Sequence, residues 1–551
     1  MAITINTLIF FLTFLGAGSF FFKIFHNDYI KNYSNIFELI SIRIIVGFIF
    51  VSFFLVLINF FLPINKTISL SIIIFFIFFT LINPKDKNNI LYVFLYGISL
   101  IILAFALLSY SKLYEDSYLY HLAFSKTLSE NKIIIGLNNL SYRFGHISIF
   151  QYLEILENSL FLKNNLMTTV KTIYFSSIFI FFINKIIFEK NILLRFFSIF
   201  IFLFICIRFN RFGDFGNDVT THLTFFLLTY FFIEFEVKKN NYNDYFSIIS
   251  LLTIFCFFQK TFFILSFLLL FYLLCKNFKK IIFLKGINIF LVTFFIIFLS
   301  KNFLNTSCFV FPIYFTCFDY LNSFSDINLI EGVKEFSVYQ EAFVKGWSKS
   351  ILRMPHIEYL QDFNWFNTWY NHHFPVVIKK LLPFFFVIIF FTLLDKLISK
   401  TKNEGIVNYN KILITIIIFN LIFSIIWFFK FPTFRYGSSF LIMIFFPIFY
   451  FINKNIIFNN KKLFLILTVG LMIFFGKNLN RIIKDNNLLS FYPSYQLNNI
   501  NQLSERKINN LNIYLGAGII NCGFISLCTD SVEFFKEIKV EEKFSYLIFY
   551  R

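Results

Sequence analysis

The stretch NILYVFLYGISLIILAFALLSY (residues 89–110) decides the fold class of this chain. As a helix it can cross the roughly 30 Å of hydrocarbon in a bilayer. Apolar runs of similar length recur along most of the sequence, and 58% of its residues are hydrophobic. Barrel strands alternate between apolar and polar residues, whereas these runs are continuous. The sequence therefore predicts an all-α polytopic membrane protein with roughly 12 to 14 transmembrane helices.

Fourteen apolar segments are predicted to form these helices. They span about 3–22, 36–62, 68–83, 89–110, 169–186, 193–209, 220–236, 246–258, 261–274, 282–300, 376–395, 411–428, 437–452 and 463–476. The apolar run 246–274 is too long for one ordinary span, and it is interrupted at Gln259-Lys260. We expect two helices there, which meet near one surface.

The distribution of lysines predicts the orientation. Seven short connections are rich in lysine, and the break at Lys260 places all seven on one side of the membrane, which the positive-inside rule makes cytoplasmic. The opposite side then carries loops 111–167, 208–219 and 301–375. Residues 1–476 would form the transmembrane domain, and 477–551 a small external C-terminal domain with β or α/β structure, because short alternating runs are separated by glycines there.

The net charge of +19 does not point to nucleic acid. The chain is rich in residues with A- and T-rich codons, including 93 Phe, and the same bias inflates Lys. Lysine is also concentrated in the predicted cytoplasmic loops. We expect a lipid bilayer as the main partner and no nucleic acid.

Two cysteine pairs lie in the predicted external regions. Cys308 and Cys317 share one loop, and Cys522 and Cys528 share the C-terminal domain. Short pairs confined to a non-cytoplasmic compartment favour disulfides, and their spacing does not match the usual zinc pattern. Free thiols remain an alternative.

The first external loop holds the acidic pair Glu115 and Asp116, followed by His121. This pair comes directly after the apolar run 89–110, so it is expected at the level of the lipid headgroups. A solvated polar loop is the simpler interpretation. The position at the membrane surface favours chemistry on a substrate that is itself partly in the lipid.

Other charged residues could join this site. Arg211, Asp214 and Asp218 in the second external loop could bind a phosphate and a metal together, or could form local ion pairs. Lys260 interrupts an apolar run, where a charge usually faces a polar cavity or reaches the surface. Arg435 and Tyr436 follow Pro432 and could contact an anionic headgroup.

The first loop resembles that of a family of bacterial polytopic proteins. The resemblance rests on Asp116-x4-His121, Gly136-Leu137-Asn138-Asn139-Leu140, Arg143-Phe144-Gly145 and Ser148, with weaker similarity at Ser307–Pro312, Pro432–Gly437 and the C-terminal cysteines. Those proteins look like integral-membrane glycosyltransferases of the GT-C fold, which use a polyprenyl-phosphate-linked sugar outside the cytoplasm. The segment between Cys522 and Cys528 departs from the fuller family pattern.

The resemblance implies a function and a set of roles. The chain would move a sugar from a polyprenyl-phosphate donor to a glycan or lipid acceptor with inversion, at the external face of a bacterial inner membrane. The implied catalytic residues are Asp116, Glu115 and His121. Substrate contacts would come from Asn139, Arg143, Arg211, Lys260, Arg435 and Tyr436. A divalent metal, Mg or Mn, could be held by Asp116, Asp214 and Asp218.

Two alternatives come from other functional classes. A transporter or flippase for a lipid-linked or anionic substrate would use Lys260 and Arg435 in a translocation cavity. A polysaccharide polymerase or ligase would share the lipid-linked substrate and the external site.

Overall fold

The structure of the chain is a computed structural model. It describes residues 2–25, 35–83, 89–108, 116–146, 148–158, 168–210, 212, 216–238, 242–278, 286–318, 329–351, 354–398, 409–453, 460–484, 503–509, 511–516 and 522–551.

Helices make up most of the described part of the molecule. In chain order they are α1 Ala2–Phe25, α2 Ile36–Asn59, α3 Lys66–Ile82, α4 Ile90–Leu108, α5 Leu122–Glu130, α6 Ile149–Asn158, α7 Thr169–Phe188, α8 Ile192–Arg208, α9 Asp218–Lys238, α10 Tyr242–Gln259, α11 Phe267–Asn277, α12 Gly286–Thr306, α13 Leu329–Val344, α14 His356–Leu360, α15 Trp365–His372, α16 Phe374–Ile398, α17 Asn410–Lys430, α18 Phe434–Asn453 and α19 Asn460–Lys484. Within the described ranges, nine helices are long and apolar enough to cross a membrane, and Lys66–Ile82 and Thr261–Lys276 are shorter apolar helices. The chain therefore has the helices of a multi-pass membrane protein.

The predicted break at Lys260 is present. Helix α10 ends at Gln259, Lys260 has extended backbone with φ −156° and ψ 121°, and a 3-10 turn at Thr261–Ser266 leads into α11. The ammonium of Lys276, near the end of α11, pairs with Glu236 near the end of α9. The chain thus turns back at Lys260 and returns to the face where α9 ends.

Contacts between helix ends define two opposite faces. On one face, Phe212 donates its backbone N–H to Leu107 at the end of α4, with an N···O distance of 3.0 Å. On the other, Lys185 near the end of α7 pairs with Glu38 near the start of α2 at 2.6 Å. We call the first the site face, because the candidate site lies there.

The C-terminal region is small and contains two sheets. Strands β1 Ser504–Ile508 and β2 Leu511–Leu515 are antiparallel, and β3 Cys528–Thr529 pairs with β2 in parallel. After α20 (Val532–Glu537), β4 Lys539–Lys543 and β5 Tyr546–Tyr550 form an antiparallel hairpin. The predicted β structure of this region is confirmed.

The C-terminal region packs on the first loop. Ile135 and Ile548 form an isolated parallel bridge, and Leu527 donates its backbone N–H to Thr127 Oγ1 at 3.1 Å. Such a small unit buries little apolar surface alone. Its contacts with the first loop are therefore part of what stabilises its fold.

Candidate functional site

Asp116 is the first described residue of the first loop. A single π turn, Ser117–His121, follows it directly and continues into α5. Its carboxylate Oδ2 lies 3.5 Å from Nη1 of Arg435, and 45% of the side chain is exposed. The carboxylate is accessible to a solute at the site face.

Asp218 is the first residue of α9, and its two oxygens take different partners. Lys260 Nζ donates to Oδ1, and Arg435 Nε donates to Oδ2. Arg435 is the second residue of α18, so its side chain leaves a helix start and lies between two carboxylates. Tyr436 completes the group, because its ring centroid lies 3.7 Å from Lys260 Nζ, at cation–π distance.

Asp116, Asp218, Lys260 and Arg435, together with Tyr436, are called the ionic cluster below. Two carboxylates and two cations balance in charge. Side chains of this kind at a surface add little to stability, typically about 0–1 kcal/mol for each pair. The members of the cluster come from four separate helix boundaries. A chemical role explains their convergence better than a contribution to folding does.

Tyr120 adjoins the ionic cluster. Burial, and next the neighbouring charge of Asp116, raise the pKa of its phenol. The guanidinium of Arg143 lies 5.7 Å from the ring centroid of Tyr120. A neutral hydroxyl is thus present beside Asp116. A role of Tyr120 was not predicted from the sequence, although this residue stands directly before His121 in the loop motif.

His222 holds the backbone that carries Arg435. It lies one helical turn after Asp218 on α9, and its Nε2 donates to the carbonyl oxygen of Arg435 at 2.8 Å. Its Nδ1 therefore accepts from Ser439 Oγ, at 2.9 Å. One face of α9 thus contacts the side chain of Arg435 through Asp218 and its backbone through His222.

The second loop is held close to this face by a buried ion pair. Lys171 on α7 pairs with Glu154 on α6 at 2.6 Å, and both side chains are fully buried. Lys171 Nζ also donates to the carbonyl of Gly216 at 3.1 Å, two residues before Asp218. A lysine inside a long apolar helix was the signal that could have indicated this role.

His121, predicted to be catalytic, is buried beside the first loop. Its Nδ1 accepts from the amide of Gln151 at 3.0 Å, and the same amide's oxygen accepts the backbone N–H of Ser148. Burial, with the charges of Lys171 and Arg435, lowers the pKa of His121 well below its usual value. In this arrangement its imidazole is neutral and contacts the loop, and its catalytic role stays a prediction.

Asn139 and Arg143 contact the C-terminal region. Asn139 Nδ2 donates to the carbonyl of Phe549 at 2.9 Å, and Arg143 pairs with Asp530 at 3.1 Å. Gly136 has φ +71°, and a Cβ there would lie 2.2 Å from the Phe549 oxygen. The motif residues after His121 therefore bind the C-terminal strand, and a role of Asn139 or Arg143 toward substrate stays a prediction.

Three predicted site residues, Glu115, Arg211 and Asp214, lie outside the described residues. Asp116 and Asp218 have cationic side chains as partners, so these two carboxylates alone do not form a fitting cage for a divalent cation in this arrangement. Within the described ranges there is no group of three or more His, Cys, Asp or Glu that could hold a metal. A metal site at Asp116, Asp214 and Asp218 stays a prediction.

Both cysteine pairs are bonded, Cys308 to Cys317 and Cys522 to Cys528. Of the other cysteines, Cys206 and Cys256 are buried, whereas Cys275 is exposed on α11. Phe311, inside the first disulfide loop, packs its ring against Gly145 of the first external loop. The first disulfide loop thus contacts the motif segment through Phe311.

Comparison with known proteins gives one result. No curated protein and no solved structure matches the chain. One family profile matches residues 1–442, a range that includes every residue of the ionic cluster. On this match the chain belongs to the family described as a domain of unknown function, DUF8201.

Proposed function

We propose that the chain is an integral-membrane glycosyltransferase of the GT-C type. It would use a polyprenyl-phosphate-linked sugar and act at the external face of a bacterial inner membrane. The observation that carries this proposal is the ionic cluster, in which half-exposed Asp116 and Arg435 meet Asp218 and Lys260 at one end of the helices.

The proposed reaction is an inverting displacement. The carboxylate of Asp116 accepts the proton of the acceptor hydroxyl while that oxygen bonds to the anomeric carbon. The bond between this carbon and the phosphate oxygen breaks, and polyprenyl phosphate leaves with the bonding electron pair. A positioned base contributes about 10²- to 10⁴-fold to the rate.

Arg435 and Lys260 would neutralise the leaving phosphate. Charge directed at the leaving group is usually the larger catalytic effect. The contact between Arg435 and Asp116 is long, at 3.5 Å. A phosphate bound to Arg435 would compete with this contact and leave Asp116 free to accept a proton.

The location of the cluster favours transfer over transport. Asp218 and Arg435 begin helices, and Lys260 lies at a helix end, which supports a position of these charges at a membrane surface. Secondary transporters bind their substrates near the midplane, at broken helices in repeated halves. The break at Lys260 is one broken helix of the kind that transporters have. The position of the charges at helix ends is the stronger argument, and it favours transfer.

The test is sugar transfer by the full-length protein in nanodiscs. The donors are radiolabelled polyprenyl-phosphate hexoses, and a lipid extract of the source membrane is the acceptor. We expect the wild type and Glu130→Gln to form product, because Glu130 pairs with Lys126 in the same loop and is not a member of the ionic cluster. Asp116→Asn should lose about 10²- to 10⁴-fold in rate.

Two results would contradict the proposal. Full activity of Asp116→Asn would remove the role of the base. Uptake of the donor into vesicles without any glycosylated product would identify a transporter. Product length distinguishes single-sugar transfer from polymerisation or ligation.

A further inference from the structure

A second group of cations surrounds Phe434, the residue before Arg435. The guanidinium carbon of Arg208 lies 5.6 Å from the centroid of this ring, and Lys380 Nζ lies 5.1 Å from it. Arg208 ends α8, and Lys380 lies in the second turn of α16. Two positive charges from different helices thus approach the same aromatic ring.

Lys477 and Arg481, in the last turns of α19, extend this group. Lys477 Nζ donates to the carbonyl of Ile207 at 2.6 Å, and Arg481 donates to the carbonyl of Asn210 at 3.0 Å. We call Arg208, Lys380, Lys477 and Arg481 the basic cluster. Its members lie at the site face, around the end of α8.

The basic cluster differs from the ionic cluster in its charge balance. The charge of Arg208 acts on both Lys380 and Lys477, and each of these interactions is repulsive. Within the described part of the chain, no carboxylate pairs with Arg208, Lys380 or Lys477. The buried Nε of Arg208 also has no hydrogen-bond partner there. Like charges gathered in this way need an anion to offset their repulsion.

We propose that the basic cluster is a second anion site, which binds the phosphate group of a lipid headgroup. Arginine binds phosphate well because its planar fork donates two hydrogen bonds. Basic pockets between transmembrane helices are known to bind phosphorylated lipid headgroups. Lys380 lies near the start of a helix that is long and apolar enough to cross a membrane, which favours a ligand with an apolar tail.

This site is separate from the proposed reaction. The ionic cluster already has two carboxylates among its two cations, whereas the basic cluster has open positive charge. Its occupant can be a structural lipid or an amphiphilic substrate, and the site stands whether or not the chain transfers a sugar. Asp214 follows the end of α8 in the sequence and lies outside the described residues, so the experiment includes a variant of it.

The experiment measures binding by isothermal titration calorimetry to the full-length protein in detergent micelles. The probes are dodecyl phosphate, for the lipid source, and inorganic phosphate, for a free anion. We expect Arg208→Gln and Lys380→Met each to weaken dodecyl phosphate binding at least about tenfold, which corresponds to about 1.4 kcal/mol. Arg208→Lys keeps the charge without the fork, and we expect it to have an intermediate affinity.

Two control variants define the site. Lys379→Met changes the neighbouring, exposed lysine of the same helix, and Arg435→Gln changes the ionic cluster. Lys379→Met should bind dodecyl phosphate like the wild type. Arg435→Gln removes binding at the ionic cluster and should keep the site that depends on Arg208 and Lys380. Loss of binding in Arg435→Gln alone would place the phosphate in the ionic cluster and overturn the proposal.

Three further results would also decide the matter. Wild-type affinity in both Arg208→Gln and Lys380→Met would rule out the site. Equal affinity for inorganic phosphate would keep an anion site and overturn its assignment to lipid. If only Asp214→Asn, and not the wild type, binds dodecyl phosphate, Asp214 supplies the counter-charge and the proposal is wrong.

Discussion

Asp116 and Asn139 belong to the same first-loop motif, yet they contact different parts of the molecule. Asp116 faces Arg435 of the ionic cluster, and Asn139 binds the backbone of Phe549 in the C-terminal strand. His121 has a third kind of partner, the buried amide of Gln151. A polar residue in a loop motif can therefore serve a site, a docking contact or the loop itself, and its identity alone does not say which.

The planar guanidinium fork of Arg435 can be tested by a substitution that keeps its charge. Nε contacts Asp218 and Nη1 contacts Asp116, so one planar group spans both carboxylates. Lysine has a single charged atom and cannot reproduce this. We expect Arg435→Lys to lower the rate of sugar transfer by about 10²-fold. Arg506→Lys in the C-terminal region is the control and should keep its rate, whereas an active Arg435→Lys would argue against the role of the fork.

His222 is expected to act as a positioning residue. His222→Phe leaves Ser439 and the Arg435 carbonyl without their partner, and a lost hydrogen bond of this kind costs about 1–3 kcal/mol. We expect the maximal rate of transfer to fall more than the affinity for donor. His222→Gln, which retains a donor group, should recover part of the rate. Equal behaviour of the two variants would indicate a role in packing alone.

The loop histidines determine how the protein responds to acid. Burial, with the charges of Lys260 and Arg143, lowers the pKa of His146 to about 4, from about 6.5 in an unfolded chain. Between these values the unfolded state binds more protons, so the stability of the fold decreases as pH falls from about 6.5 toward 4. We expect a lower unfolding temperature at pH 5 than at pH 7. His146→Phe should reduce this difference, and an unchanged difference would show that other groups cause it.

The packing of strand β5 on the first loop depends on Gly136. A Cβ at this position would lie 2.2 Å from the Phe549 oxygen, and its φ of +71° disfavours other residues. We expect Gly136→Ala to displace the C-terminal strand and to speed proteolysis of residues 503–551. Gly476→Ala is the matched control, since nothing lies within 4 Å of a Cβ there. Equal protease resistance of the two variants would contradict this role.

The helices could be predicted from the sequence because apolar length is a local property. Each predicted segment contains a helix in the part of the chain that the structure describes, including the pair separated at Lys260. Some boundaries moved: the segment predicted at 282–300 is Gly286–Thr306. The helices inside the external loops, such as α6 and α13, were not predicted, because they are short and amphipathic rather than continuously apolar.

The partners within the site could be predicted only in part. Lys260, Arg435 and the two aspartates were each unusual in their local sequence, and the expected meeting at one membrane surface followed from the loop assignment. Their pairing was not visible, because Asp116 and Arg435 are 319 positions apart. The roles of His222 and of the basic cluster were not predicted, because these roles depend on neighbours from other helices.

For the whole molecule, the site face and the opposite face carry different charges. The site face has the ionic and basic clusters, whereas Lys185 on the opposite face is buried with Glu38, Glu189 and Glu234. The lysine-rich connections follow the helix ends of that opposite face. The proposal of a lipid-linked sugar donor therefore depends on an orientation that places the ionic cluster outside the cytoplasm.

Sidedness of labelling tests this claim most directly. In a Cys275→Ser background, Asp116→Cys and, on the opposite face, Lys461→Cys would be treated with a membrane-impermeant maleimide in spheroplasts. We expect Asp116→Cys to be labelled in intact spheroplasts and Lys461→Cys only after lysis. Labelling of Lys461→Cys from outside, with Asp116→Cys protected until lysis, would contradict the account.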